Sequence, residues 1–391
     1  MKTAYDIVVI GGGPAGAWTA YHAARNGASV VILEKDRDIG IPVRCAEGVS
    51  EKGLASVIDM DPRWIAATIT GARLVAPDGT AVDSYPDERG FILHRRLFDT
   101  DLAAKAVEQG AECFTKAYAS GLVYEKGKLT GVNVRYMGQE KTISTQLVVG
   151  ADGVESRVGR WAGLATHTPV KETMSCVQMM LGHINIDPSV IEFYFGKEVA
   201  PDGYLWVFPK GKGVANVGLG VSGAYSKNKT AYAYLSEWVA NHFPGASVLA
   251  TVAGCVPVCP EPETIVADGV MLVGDAARQA NPITGGGIIN GMIAGEIAGT
   301  VAANAVKKGK VDAKTLSAYP AKWRKGEGKN NARSYKMKQV INQFSDEELN
   351  KLAQTLLAIP ETKRNAFEIF TAALKNHPKL LMEVAKVFIW K

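Results

Sequence analysis

Cysteine and histidine are scarce in this sequence, five and six among 391 residues. The cysteines are odd in number and irregularly spaced, which argues against a disulfide framework and fits a reducing, cytoplasmic setting. Cys255 and Cys259 stand close together, but no second pair and no neighbouring histidine completes a zinc or iron–sulfur set. The first residues do not read as a secretory signal: Lys2 is the one early positive charge, and Asp6 and a glycine turn follow at once. There is no long unbroken apolar run. Residues 283–306 come nearest, but Asn290, Glu296 and several glycines interrupt them, so they do not read as a bilayer span. Gly291, Gly295 and Gly299 are spaced as in paired membrane helices; inside a soluble domain the same spacing is expected to let a helix pack closely on a sheet. Neither sign of charge dominates. Forty-four basic residues against 39 acidic ones leave a net charge of +5, which calls for no nucleic acid but tolerates an anionic lipid or a phosphate-bearing substrate. Repeats and low-complexity tracts are absent.

What is present is enough for two domains and a helical extension. Residues 5–10 read as a buried strand, 14–26 as a helix and 29–34 as a second buried strand, a βαβ unit at the expected spacing. Residues 97–109 form an amphipathic helix with Leu97, Phe98, Leu102 and Val107 inward. Strands are expected over 121–136, with a turn near Gly127, and over 141–149. From 166 to 264 the pattern changes to strands punctuated by glycine and proline, at 175–184, 191–195, 204–208, 214–221 and 249–256, with one helix at 231–243. Buried-strand character returns at 270–275. Beyond 312 the chain reads as helical, with Ser345 and Glu348 as a capping box and an apolar stripe along 379–390. The fold class is therefore α/β: a discontinuous Rossmann-like nucleotide-binding domain (1–60, 90–165, 265–311), an inserted, mainly antiparallel β-sheet substrate domain (61–89, 166–264) and a C-terminal helical region (312–391).

The chemistry is carried first by Gly11-Gly12-Gly13-Pro14-Ala15-Gly16. Gly11, Gly13 and Gly16 fill a GxGxxG frame between strand and helix, where the first glycine permits the turn, the second lets backbone approach a pyrophosphate, and the third lets the helix pack on the sheet. Glu34 ends the second strand, where a carboxylate binds ribose hydroxyls and repels a 2′-phosphate. This much fits NAD or FAD. A second cluster separates them. Asp275, in Val273-Gly274-Asp275, ends another buried strand and can accept a hydrogen bond from a ribityl hydroxyl. Gly285-Gly286-Gly287 then opens a helix at Ile288, whose positive end can stabilise negative charge on a reduced flavin.

Together with Gly150-Ala151-Asp152-Gly153, Ser156, Arg157 and Arg95-Arg96-Leu97-Phe98-Asp99, these motifs resemble the p-hydroxybenzoate-hydroxylase-type FAD flavoproteins over roughly residues 5–305. Within that class, Pro42-Val43-Arg44-Cys45-Ala46-Glu47-Gly48 and Gly203-Tyr204-Leu205-Trp206-Val207-Phe208-Pro209 are similar to the geranylgeranyl reductase family, whose archaeal members saturate isoprenoid chains of ether lipids. The resemblance implies FAD as cofactor. It implies Gly11, Gly13, Ala15, Gly16, Glu34, Arg95, Asp275, Gly286, Gly287 and Ile288 as FAD-binding residues, with Cys45, Ala46, Gly48 and the backbone at Ala119 as further contacts. It implies Cys45 as the catalytic residue and Tyr204 and Trp206 as holding the lipid chain. From pattern alone, the alternation of Tyr204, Trp206 and Phe208 reads as an ordinary core strand, and only the resemblance makes it a substrate wall.

The implied reaction is flavin-dependent reduction of isolated alkenes, with Cys45 as proton donor or redox partner and Glu47 as a second candidate. An oxygen-using hydroxylase or halogenase shares the fold, although the Trp-x-Trp-x-x-Ile stretch usual in halogenases is absent. An electron-transfer protein is the third alternative, against which the lack of any cysteine after Cys259 counts. No second GxGxxG frame is present, so ferredoxin, a reductase or a reduced nicotinamide remain open as electron donor. A lipid substrate carries the expectation of peripheral membrane contact.

Overall fold

The structure is a computed structural model that describes residues 1–225, 227, 229–360 and 364. The chain divides into two compact units. The first comprises Met1–Val43, Arg95–Thr168 and Pro257–Ala332, and the second Arg44–His94, Pro169–Val256 and Arg333–Lys391. Segment 44–60 thus belongs with the second unit, and the C-terminal helical region is shared between the two. The apolar stripe at 379–390 lies outside the described residues.

The first unit is built on a six-stranded sheet in the order Val266–Ala267, Val270–Leu272, Leu147–Gly150, Ile7–Ile10, Val30–Leu33, Glu112–Phe114. Pairing is parallel throughout except at the Val266–Ala267 edge. Strands buried on both faces read as continuous apolar runs, which is why IVVI, VVIL and LVVG are wholly buried. A meander of three antiparallel strands, Ala117–Glu125, Lys128–Tyr136 and Gln139–Ser144, belongs to the same unit. It turns at Gly127 and again at Gly138, so the single strand expected over 141–149 is two: Gln139–Ser144 closes the meander and Leu147–Gly150 enters the parallel sheet.

The second unit holds a seven-stranded sheet in the order Ser247–Pro257, Thr173–Gly182, Val214–Ser222, Tyr204–Pro209, Val190–Tyr194, Gly71–Val75, Ala81–Ser84. It is mainly antiparallel, with one parallel pair between Val190–Tyr194 and Gly71–Val75. Helix Ala231–His242 covers one face through Leu235, Trp238 and Val239, which meet Leu205, Val207 and Val217. Ser345 and Glu348 form the expected capping box, and the helix they start, Asp346–Leu357, sets Ala353 and Leu356 against Ala76 and Val82. A small sheet of Gly48–Ser50, Gly90–Leu93 and Ile65–Ile69 completes the unit.

Two expectations are corrected. Helix Arg95–Glu108 buries Phe98 and Leu102, but Val107 is 47% exposed and Leu97 only half-buried; Asp99, Ala103 and Ala106 take the inward positions. The inward stripe is narrower and rotated because small residues suffice for the close approach. The glycine ladder of helix Ile288–Lys307 faces a helix, not a sheet. Cβ atoms on Gly295 and Gly299 would stand 2.7 Å from Ala15 O and 2.4 Å from Thr19 O, both on helix Pro14–Arg25. Only glycine lets two helix backbones approach so closely. Among the described residues no helix is long and apolar enough to cross a membrane.

Candidate active site

Each unit holds one cluster of candidate functional residues. In the first, Gly11 leaves its strand with φ +107°, and a Cβ there would lie 2.3 Å from Ala151 O. A Cβ on Gly16 would lie 2.0 Å from Gly11 O. Packing therefore demands both glycines. Gly13 differs: its Cβ would meet nothing within 4 Å. The space in front of it is open, as a pyrophosphate requires. Helix Pro14–Arg25 starts there with no side-chain cap, and helix Ile288–Lys307 starts at Gly287 equally uncapped. Ala15 links the two openings, because Cβ atoms on Gly274 and Gly291 would each approach its methyl, at 2.9 and 3.2 Å. Two helix N-termini with free N–H groups thus converge, an arrangement suited to the negative charge of a dinucleotide cofactor.

Glu34 accepts hydrogen bonds from Gly12 N and Asp36 N, both at 2.8 Å, one on each carboxylate oxygen. Its orientation is thereby fixed, and each oxygen keeps a second acceptor direction for a ribose hydroxyl. Arg95, the first residue of its helix, grips Asp99 with a two-pronged contact at 2.7 and 2.8 Å. Asp275 lies at the opening of the glycine-rich helix, its Oδ1 3.2 Å from where a Gly287 Cβ would be. Burial pushes its carboxyl up to about 6, and the charge of Arg95 opposes this. Ala119 is buried in the meander, and Gly286 and Ile288 flank the uncapped helix start.

The raised Asp275 has a measurable consequence. Between the ordinary carboxylate value and about 6 the folded FAD-free protein holds a proton that the unfolded chain has released, so Asp275 lowers stability as pH rises through that window. Asp275→Asn is expected to stabilise the FAD-free protein at pH 7 by up to about 3 kcal/mol and to change little at pH 4. Denaturant unfolding at the two pH values checks this.

The Asp275 turn is clamped by residues the sequence did not flag. Gln279 Oε1 accepts from Gly274 N at 2.8 Å, Gln279 Nε2 donates to Tyr319 Oη at 2.8 Å, and Tyr319 Oη donates to Leu272 O at 2.9 Å. Asn331 Nδ2 adds bonds to Gln279 O and Ala280 O.

In the second unit the strand Tyr204–Pro209 points Leu205 and Val207 to the helix-covered face. Tyr204, Trp206 and Phe208 lie on the other, beside Phe193, Cys176 and Ala46. Phe193 meets Tyr204 and Phe208 edge-on, each at 5.5 Å between ring centroids, and Tyr204 meets Trp206 at 5.9 Å. Trp206 and Phe208 are buried, whereas Tyr204 is half-buried. Burial, with lesser contributions from Cys176 and Cys45, raises the Tyr204 hydroxyl far above its usual range, so it stays protonated. Cys176 is pushed up to about 12 by burial and stays a thiol.

Half-buried Cys45 sits in the loop before strand Gly48–Ser50, its Sγ accepting from Glu47 N at 3.2 Å. Glu47 is itself left-handed, φ +73°. Its buried carboxylate is held by Lys210 Nζ at 2.5 Å and Asn216 Nδ2 at 2.7 Å, and Lys210 also reaches Leu93 O at 2.7 Å. Gly48 has a packing reason of its own, since a Cβ there would stand 3.0 Å from the Phe208 ring.

Residues 172–256 match the family model described as the geranylgeranyl reductase catalytic domain, and residues 6–63 match that of FAD dependent oxidoreductases. Digeranylgeranylglycerophospholipid reductase of Methanocella arvoryzae is 43% identical over 388 residues, covering 98% of this chain and 99% of that protein. The chain belongs to the geranylgeranyl reductase family. A geranylgeranyl bacteriochlorophyll reductase-like protein from Thermoplasma acidophilum has the same architecture, with TM-score 0.92, 33% identity and coverage of 98% of this chain and 99% of that one. A flavin-dependent brominase variant at TM-score 0.72 and 18% identity, covering 96% of this chain and 100% of that one, shares the fold alone. As a geranylgeranyl reductase family member the chain is an FAD oxidoreductase, and the open space at Gly13 between uncapped helix starts fits that cofactor.

Proposed function

We propose that the protein reduces the isolated double bonds of geranylgeranyl chains in archaeal glycerophospholipid precursors. The observation that carries this reading is a cysteine loop set beside an aromatic, apolar sheet face in the unit that holds the geranylgeranyl reductase catalytic match. Tyr204 and Trp206, with Phe193 and Phe208, offer a polyprenyl chain an apolar wall and no charge. Bound FAD, once reduced, supplies a hydride to one alkene carbon.

The chain's own residues must bind the lipid, exclude water and deliver a proton to the other carbon. Cys45 Sγ is the proton source in this reading. Glu47, the second candidate, has its carboxylate engaged by Lys210 and Asn216 and serves as an anchor for the loop. Glu34 binds the adenosine ribose, Gly11, Gly13, Ala15 and Gly16 the pyrophosphate, and Asp275, Gly286, Gly287 and Ile288 the ribityl and ring end, with Arg95 steadying the same region. A substrate of this kind is delivered from a lipid surface, so the reading includes transient contact with membranes, visible as co-flotation with liposomes.

The test is anaerobic. The flavin is reduced with dithionite and a geranylgeranyl glycerophospholipid is added while the flavin absorbance is followed. Reoxidation without oxygen, together with lipid product gaining mass in two-hydrogen steps, is the expected result. A flavin that stays reduced until air is admitted overturns the reading and points to the oxygen-using chemistry of the shared fold.

A further inference from the structure

Gln178 is the buried polar side chain of strand Thr173–Gly182, at 7% exposed. A buried amide is costly unless both of its ends are bonded, and both are. Nε2 donates to Cys45 O at 3.0 Å, and Oε1 accepts from Trp206 Nε1 at 3.1 Å. The indole N–H can only donate, so it must face the amide oxygen, and this turns the amide NH2 toward Cys45.

We propose that Gln178 is the positioning residue for the Cys45 thiol, oriented for that task by Trp206. The assignment rests on the reading that Cys45 delivers the proton. Gln178 pins the Cys45 carbonyl, Asn216 Nδ2 donates to Ala46 O at 3.4 Å, and the Glu47 N–H returns to Sγ. Glu47, whose N–H makes that return, itself takes a left-handed conformation. It is unfavourable for a residue with a side chain and persists because Lys210 and Asn216 hold the carboxylate. A thiol held this way needs no search for its reactive position, which affects rate more than lipid binding. Trp206 therefore has two roles, as part of the apolar wall and as the group that sets the Gln178 amide. The second makes Trp206→Phe non-conservative although an aromatic ring is kept.

The experiment uses the FAD-loaded enzyme and the variants Gln178→Leu, Gln178→Glu, Trp206→Phe and the double variant Gln178→Leu/Trp206→Phe. Two quantities are read. One is the rate at which iodoacetamide modifies Cys45, located by mass spectrometry and referred to exposed Cys255. The other is the single-turnover rate of anaerobic flavin reoxidation by lipid, set beside KM. Gln178→Leu is expected to slow turnover by about ten- to a hundredfold with KM changed less than about threefold. It is also expected to change the Cys45 alkylation rate and leave that of Cys255 as it was. Trp206→Phe moves Cys45 the same way, and the double variant is no worse than the more damaging single, because both act through one chain of bonds. Gln178→Glu keeps the acceptor for Trp206 and loses the donor to Cys45, and it repeats the Cys45 effect should the leucine variant not fold.

A lower melting temperature with unchanged Cys45 alkylation and turnover overturns the proposal, as do effects that multiply in the double variant. Failure of the underlying reading is seen separately. If Cys45→Ala turns over normally, proton delivery by Cys45 is wrong, while the alkylation comparison still judges the hold of Gln178 on the loop.

Discussion

Cys45→Ala is expected to slow alkene reduction by about 10²- to 10⁴-fold, the range in which a positioned proton donor contributes, while the protein stays yellow and dithionite still bleaches its flavin. An isolated alkene has no carbonyl to spread the charge left after hydride addition, so proton transfer must accompany it. Of the side chains near the aromatic face, Tyr204 and Cys176 are raised well above neutral by burial, and the Glu47 carboxylate is tied to Lys210 and Asn216. The substitution removes the Sγ acceptor of the Glu47 N–H but leaves the main-chain hold on the loop. The loop's bond to Gln178 runs through the Cys45 main-chain carbonyl and survives truncation of the side chain. Cys45→Ser keeps a group that can accept from Glu47 N but is a far weaker acid, and is expected to fall near the alanine variant. Stopped-flow reoxidation under argon, with FAD content measured on the same sample, is the check. Alanine and serine variants that both turn over at the parent rate would remove Cys45 from the chemistry.

The dinucleotide cradle was legible because its demands are local. A turn that would clash at any residue but glycine, an open position at Gly13 and a carboxylate at the end of the next strand all leave marks within one βαβ unit. The strands of the second unit were legible for a similar reason, since glycine and proline punctuate them. What escaped were the partners that fix geometry at long range. Gln178 and Asn216 lie on two different strands and Lys210 just past the end of a third, and Gln279 and Tyr319 are joined across 40 positions. No spacing rule connects such residues. A weaker signal was there: Gln178 and Asn216 are amides set among apolar neighbours in their strands, where an amide is tolerated only if something distant pairs with it. The Val107 error has the opposite origin. Helical periodicity marks several apolar residues as inward, and the neighbour's shape decides how many of them are needed.

Lys210→Met is expected to be among the most destabilising single substitutions in the second unit. The Lys210 and Glu47 side chains are only 10% and 5% exposed, at 2.5 Å from each other. Removing the cation takes from Glu47 the charge that stands 2.5 Å away, and breaking a buried pair from one side costs about 3–5 kcal/mol. This corresponds to a loss on the order of 10 °C in Tm. The double variant Lys210→Met/Glu47→Gln removes both charges and is expected to recover most of the loss, since the penalty comes from the uncompensated carboxylate more than from the missing attraction. Activity should fall together with stability but not recover with it. In the double variant the bond from Lys210 to Leu93 O is gone and Glu47→Gln no longer anchors the loop by charge, so the Cys45 turn loosens even where the fold is restored. Thermal melts, with single-turnover rates on the same three proteins, separate these effects. Equal losses in the single and double variants would mean that the pair itself, rather than relief of a stranded charge, stabilises this unit.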